Sequence, residues 1–274
     1  MRTTDMIRTF FRKNLLFGAV LLAVAVPSAQ AAGRIDAASA RPTVVLVHGA
    51  FADASSWNPV IAVLRKWHVA AVAVDAPLTS LADDVAATER AIAAAPGKVV
   101  LVGHSWGGTV ITQAGDDDKV SALVYVAAFA PDVGQASAEQ GKGFPTPPGL
   151  AHLLERDGRL WLSESGARDD FAPDLGAKGA KHVFDAQRPI AASAFAEPVT
   201  RAAWRVKPSW YVVSRMDRMI APQLQTATAR RIGAQLQSVG SSHALPLARP
   251  TEVAYAILEA AGVKQDEPDP HEGG

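Results

Sequence analysis

The chain has 274 residues, 49% of them hydrophobic and 20% charged, with a formal net charge of zero and no cysteine. That length holds one or two domains with a full apolar core. The missing cysteine excludes thiolate metal sites, thiol catalysis and disulfides, and the balanced charge leaves no electrostatic footprint for nucleic acid or an anionic membrane.

The first residues read as an export signal. Arg2, Arg8, Arg12 and Lys13 precede twelve uncharged residues running from Leu15 to Val26, and Ala29-Gln30-Ala31 offers an A-x-A cleavage pattern. Twelve residues fall short of the ~20 needed to span a bilayer. The expectation is a signal peptide over 1–31, no stable membrane insertion after its cleavage, and a periplasmic or secreted mature chain. Its removal leaves 23 Lys and Arg against 26 Asp and Glu, so the balance hardly changes.

Beyond the leader, strands and helices alternate. The β-branched run over 43–47 predicts a buried strand. Trp57, Val60, Ile61 and Leu64 are spaced for a helix over 57–67, and 69–74 reads as a strand again. Ser80 is placed to cap a helix carrying Leu81, Val85, Ile92 and Ala93, with Asp83 as the acidic half of a capping box. Pro96-Gly97 ends it. Strands are predicted over 98–102, 123–127 and 209–213, with a weaker one over 235–239. Helices are predicted after Ser105, over 223–232 and over 252–261. This alternation argues for an α/β fold, a mostly parallel sheet of about six strands covered by helices on both faces.

The rhythm breaks over 131–208. That stretch is rich in proline, holds Phe144, Trp161, Phe171, Phe184, Phe195 and Trp204, and shows no strong strand. It reads as a mostly helical cap inserted into a core made of 32–130 and 209–264, lying over the carboxyl ends of the strands where ligands bind in open α/β sheets. Residues 265–274 are polar and rich in Pro and Gly, a composition that predicts a disordered tail.

The chemistry centres on Gly103-His104-Ser105-Trp106-Gly107, a G-x-S-x-G pentapeptide directly after the apolar run Val99-Val100-Leu101-Val102. Between a strand and a helix it is a nucleophile elbow, with Ser105 on a strained turn and small neighbours allowing close approach. A serine hydroxyl needs a base, and the base an orienting acid. Of the seven histidines, His243 occupies a late loop just before the final helix and is the candidate base. Asp217, three residues past a strand in Ser214-Arg215-Met216-Asp217-Arg218, is the favoured acid. Asp132, just after the preceding strand, remains its rival. The oxyanion donors expected are the backbone N–H of Trp106 and that of Ala50 or Phe51, in the loop after the first strand, where Gly49 permits a close approach.

Val44-Val45-Leu46-Val47-His48-Gly49-Ala50-Phe51, Gly103-His104-Ser105-Trp106-Gly107-Gly108, Ser214-Arg215-Met216-Asp217-Arg218 and Ser242-His243 resemble the four blocks of the α/β-hydrolase superfamily, in its order. Over about 43–263 the chain looks like the small-cap esterases, which resemble plant methyl esterases, hydroxynitrile lyases and pyrethroid-type carboxylesterases. The resemblance implies a Ser105, Asp217 and His243 triad, no cofactor, no metal, and a small or medium apolar carboxylic ester as substrate. It also admits a hydroxynitrile-lyase-like or perhydrolase reaction on the same triad, or a ligand-binding protein with a vestigial triad. The lyase reaction relies on a lysine near the triad, and Lys142, Lys178 and Lys181 are the candidates. The chain departs from the pattern in two ways: about ten residues separate the expected cleavage site from the first strand, so the antiparallel strands that open larger relatives are expected to be missing, and Ser214 stands where many relatives carry glycine.

Overall fold

In the computed structural model, which describes residues 41–263, the apolar run at the start of the core becomes β1 (Thr43–Val47), buried along its whole length. The leader expected over 1–31 and the tail expected over 265–274 lie outside the described residues. After β1 come α1 (Asn58–Lys66), β2 (Ala71–Val74), α2 (Leu81–Ala94), β3 (Val99–His104), α3 (Gly107–Ala114) and β4 (Val120–Val126). Among the described residues no helix is long and apolar enough to cross a membrane.

The insertion then holds β5 (Leu153–Arg156), β6 (Arg159–Leu162), the single turn α4 (Glu164–Gly166), α5 (Gly176–Ala186) and β7 (Ile190–Ala191). The core resumes with β8 (Ser209–Ser214), α6 (Pro222–Arg231), β9 (Gln235–Val239), α7 (Leu245–Ala248) and α8 (Pro250–Ala260).

Six strands pair in the order β2-β1-β3-β4-β8-β9, every pair parallel. Successive side chains of a strand point to opposite faces, and two apolar cores follow from that. Val45, Val47, Leu101, Tyr125 and Val213 face α2, α3 and α6 on one side. Val44, Leu46, Val100, Val124 and Val212 face α1 and α8 on the other. Strands buried on both faces read as continuous apolar runs, which is why β1, β3 and β4 stand out in the sequence. At the edge, β9 leaves Gln235 and Leu236 exposed, and its pattern is correspondingly weak.

The predicted cap of α2 forms in part. Ser80 Oγ accepts from Asp83 N at 3.0 Å, but the Asp83 carboxylate takes the hydroxyls of Thr79 and Ser80 at 2.6 and 2.7 Å and not the Ser80 N–H. Aspartate is one methylene shorter than the glutamate of a full capping box.

Helical turns dominate the insertion, but the expectation of no strand within it is corrected. β5, β6 and β7 form a small antiparallel sheet. Its first hairpin turns through Asp157 (φ 51°) and Gly158 (φ 69°), the left-handed pair that two-residue hairpins require.

Candidate active site

Ser105 follows β3 with φ 53°, a left-handed conformation that a β-carbon makes costly. The turn is held from both sides: Ser105 N donates to Val126 O at 3.1 Å, and Ser105 O accepts from Gly108 N and Phe129 N. Tight packing explains the glycines. A β-carbon on Gly103 would lie 2.4 Å from Gly107 O, and one on Gly49 would lie 2.7 Å from Ser105 Cβ.

The structure brings Ser105, His243 and Asp217 into one line. His243 Nδ1 lies 2.7 Å from Asp217 Oδ2 and Nε2 lies 2.9 Å from Ser105 Oγ. A carboxylate can only accept, so the bond network assigns the proton to Nδ1 and leaves Nε2 to receive the Ser105 hydroxyl. All three residues are buried. Asp217 Oδ1 also accepts from Met219 N at 2.7 Å and Ile220 N at 2.9 Å, so its orientation is fixed by its own loop. Asp132 is placed elsewhere. Its carboxylate bonds Arg205 at 2.8 Å, and that bond holds its pKa below the usual carboxylate range.

The Ala50-Phe51 loop passes beside the elbow, with Phe51 at φ 62°. The backbone N–H groups of Ala50, Phe51 and Trp106 meet no acceptor among the described residues. His48 braces this loop. Ala76 N donates to its Nε2 at 3.1 Å, so Nδ1 carries the proton and donates to Gly49 O at 2.9 Å. Burial lowers the His48 pKa and keeps the ring neutral. His104, also buried, donates Nε2–H to His243 O at 2.9 Å. Burial first, and the neighbouring His243 second, hold its pKa well below the ordinary histidine value.

The supporting roles of three groups escaped the sequence reading. Gln225, fully buried on α6, donates Nε2–H to Asp217 Oδ2 at 2.7 Å and to Ile220 O at 2.9 Å, while its Oε1 accepts from Ser214 N at 2.9 Å. Asp84, fully buried on α2, accepts the Trp106 indole N–H at 2.7 Å. Ser214, noted above as a departure from the family's glycine, directs its hydroxyl at the carbonyls of Ser241 and Ser242, just before His243. Only a polar residue at apolar helix spacing hinted at the first two.

A cleft of about 310 Å³ opens between core and insertion, walled by Phe129, Phe144, Leu160, Phe195, Ile220 and Leu224 and bearing no charged group. Two of its wall residues adjoin the triad through their backbones: Phe129 N bonds Ser105 O and Ile220 N bonds Asp217. A smaller hollow of about 80 Å³ lies beside Phe51, Asp53, His182 and Ala244. Lys142, Lys178 and Lys181 are exposed, with Lys142 paired to Glu139 and Lys181 to Asp185.

A parallel sheet of this order, with a strained serine turn after β3, defines the α/β-hydrolase class. The chain matches the model of the alpha/beta hydrolase family over residues 44–256. It is similar to a probable hydrolase of Phoma sp., 27% identical over 253 residues, covering 81% of this chain and 99% of that protein. An esterase of Oryza sativa subsp. japonica is 38% identical over 113 residues, 35% of this chain and 42% of that protein. Among solved structures, a pyrethroid hydrolase from Sphingobium faniae superposes with a TM-score of 0.72 at 21% identity, over 81% of this chain and 97% of that one. The chain belongs to the alpha/beta hydrolase family, and it is a hydrolase with esterases among its relatives.

Proposed function

We propose that the protein hydrolyses a carboxylic ester with an apolar body through an acyl-enzyme on Ser105. The observation that carries this reading is the continuous Ser105–His243–Asp217 hydrogen-bond line, at 2.9 and 2.7 Å. His243 Nε2 takes the Ser105 proton as Oγ attacks the ester carbonyl, and Asp217 stabilises the imidazolium that forms. The oxyanion is received by Trp106 N–H, at the start of α3, together with Phe51 or Ala50 N–H. His243 then protonates the leaving alcohol. A water, deprotonated by the same nitrogen, releases the acid and restores Ser105.

The uncharged cleft favours an aliphatic or aromatic group of small to medium size on the ester. The export pattern over 1–31 supports action outside the cytoplasm, and secreted material is expected to begin near Ala32.

The test uses purified protein with p-nitrophenyl esters of increasing acyl length and a fluorophosphonate probe. Turnover and labelling are expected in the wild type and in neither case with Ser105→Ala. Asp217→Asn is expected to lose at least ~10³-fold in kcat by analogy with other triads, and Asp132→Asn to stay near wild type. A wild-type protein that neither turns over any ester nor takes the probe rejects the proposal.

A further inference from the structure

The base, His243, stands on an irregular loop, residues 241–244, and what holds that loop comes from two directions. From the core, Ser214 Oγ faces the carbonyls of Ser241 and Ser242, and His104 donates to His243 O. The opposite side of the loop is held by the insertion. Asp174, on the turn just before α5, accepts from Ser241 Oγ at 2.7 Å and from Ser242 N at 2.8 Å through Oδ2, and its Oδ1 takes the Ser242 hydroxyl. Phe171 O accepts from Ala244 N at 3.0 Å. The Phe171 ring meets the His243 imidazole edge-on, centroids 5.0 Å apart at 77°.

The same stretch reaches the acid loop. Asp170, fully buried, accepts from Arg218 Nε at 2.7 Å, next to Asp217, and Gly149 N donates to Arg218 O at 2.9 Å.

We infer that Asp174 is a positioning residue for His243, so that the base faces Ser105 only while the 170–174 stretch of the insertion is seated on the core. This rests on the reading of Ser105 as nucleophile. Three features of Asp174 single it out. It sits at the rim, yet its carboxylate turns inward onto two fully buried serines. Among the described residues, every hydrogen-bond partner of that carboxylate outside its own backbone lies in the two residues before His243, and none is a cation. Burial alone would push its carboxyl up, but the bonds from Ser242 and Ser241 outweigh that and hold it below the usual range.

A carboxylate that accepts both a side chain and the backbone N–H of Ser242 sets the direction in which the chain enters His243. Without it, the loop keeps its carbonyl-side anchors and the Ala244 N bond to Phe171 O, but Ser242 N and both serine hydroxyls lose the acceptor that fixes the approach to His243. A misplacement of about 1 Å at a catalytic group costs on the order of 100-fold in rate.

The experiment compares Asp174→Ala, Asp174→Asn and Ser242→Ala with the wild type. Two readouts are taken: kcat and KM on a p-nitrophenyl ester, and the low-field proton resonance of the His243 Nδ1–H bonded to Asp217. Asp174→Ala is expected to lower kcat about 10- to 100-fold, with KM changed less than about 3-fold, and to broaden or erase the low-field resonance. Asp174→Asn keeps an acceptor for Ser242 N and is expected to stay within about 10-fold of wild type, with the resonance retained. Ser242→Ala is expected to fall between them, and carries the test together with the asparagine variant should the alanine variant not fold.

Wild-type kcat and an unshifted resonance in Asp174→Ala overturn the inference. So does a loss in KM alone, which would mark Asp174 as part of the substrate wall. If the wild type turns over no ester, the reading of Ser105 fails separately, and the resonance still decides whether Asp174 sets His243.

Discussion

Asp84 is the buried charge whose removal reports most directly on how the elbow is supported. Its two oxygens each accept one hydrogen bond, from Trp106 Nε1 and from Leu78 N, both at 2.7 Å. Burial nonetheless raises its pKa to about 6, outweighing those bonds. At about 1.4 kcal/mol per pH unit, the gap between an unfolded value of about 3.9 and a folded value of about 6 is worth roughly 3 kcal/mol. The folded carboxyl binds its proton more tightly than the unfolded one, so this contribution is complete below about pH 4 and is lost as the pH rises through about 6.

Asp84→Asn removes the titration and leaves one of the two donors facing an amide N–H. Where wild-type Asp84 is protonated, the variant is expected to cost about 1–3 kcal/mol for the unpaired donor. From about pH 4.5 to about pH 7.5 that cost is expected to shrink by about 2 kcal/mol, because the wild type alone then carries the expense of an ionised buried carboxylate. Urea unfolding of both proteins at the two pH values measures the difference. An equal destabilisation at both, within about 0.5 kcal/mol, would refute the assignment of a raised Asp84 pKa.

The remaining predictions concern the supports of Asp217 and His243, the proposed acid and base. Gln225→Glu is nearly isosteric but sets a second carboxyl against Asp217 Oδ2, where the amide now donates at 2.7 Å. The pair can share one proton when the pH is low and repels when both are ionised, so kcat/KM is expected to fall at least about 10-fold at alkaline pH and less at acid pH. A pH profile parallel to wild type would show that Gln225 does not act through Asp217. Ser214→Ala removes a buried hydroxyl that donates to the Ser242 carbonyl and is expected to destabilise by about 1–3 kcal/mol in urea unfolding. A change under about 0.5 kcal/mol would mean that water replaces it without cost.

What could be read from the sequence divides along a physical line. Strands β1, β3 and β4 are legible because burial on both faces forces unbroken apolar runs, and Ser105 is legible because a strained turn demands glycines at fixed offsets around it. His243 and Asp217 follow from their places after strands, a matter of chain order. The cap hairpin was missed although Asp157-Gly158 between Leu153-Leu154 and Leu160-Trp161-Leu162 is a strong two-residue turn signal. Proline and aromatic content masked it.

Gln225, Asp84 and Asp174 were illegible for a different reason. Each is a polar residue whose partner lies elsewhere in the chain: Gln225 holds Asp217, Asp84 holds Trp106, and Asp174 holds Ser242. No local spacing encodes such a pair, and an isolated Asp or Gln on a helix or turn is ordinarily a solvated group. The groups proposed to react are therefore specified by local backbone demands and chain order that a sequence displays. Their alignment is specified by buried bonds across 8, 22 and 68 residues of chain, which only folding brings together. Since a hydrogen bond to a charged group is worth about 1.5–3 kcal/mol, each support is large enough to shift the alignment of the legible residues by about one to two powers of ten.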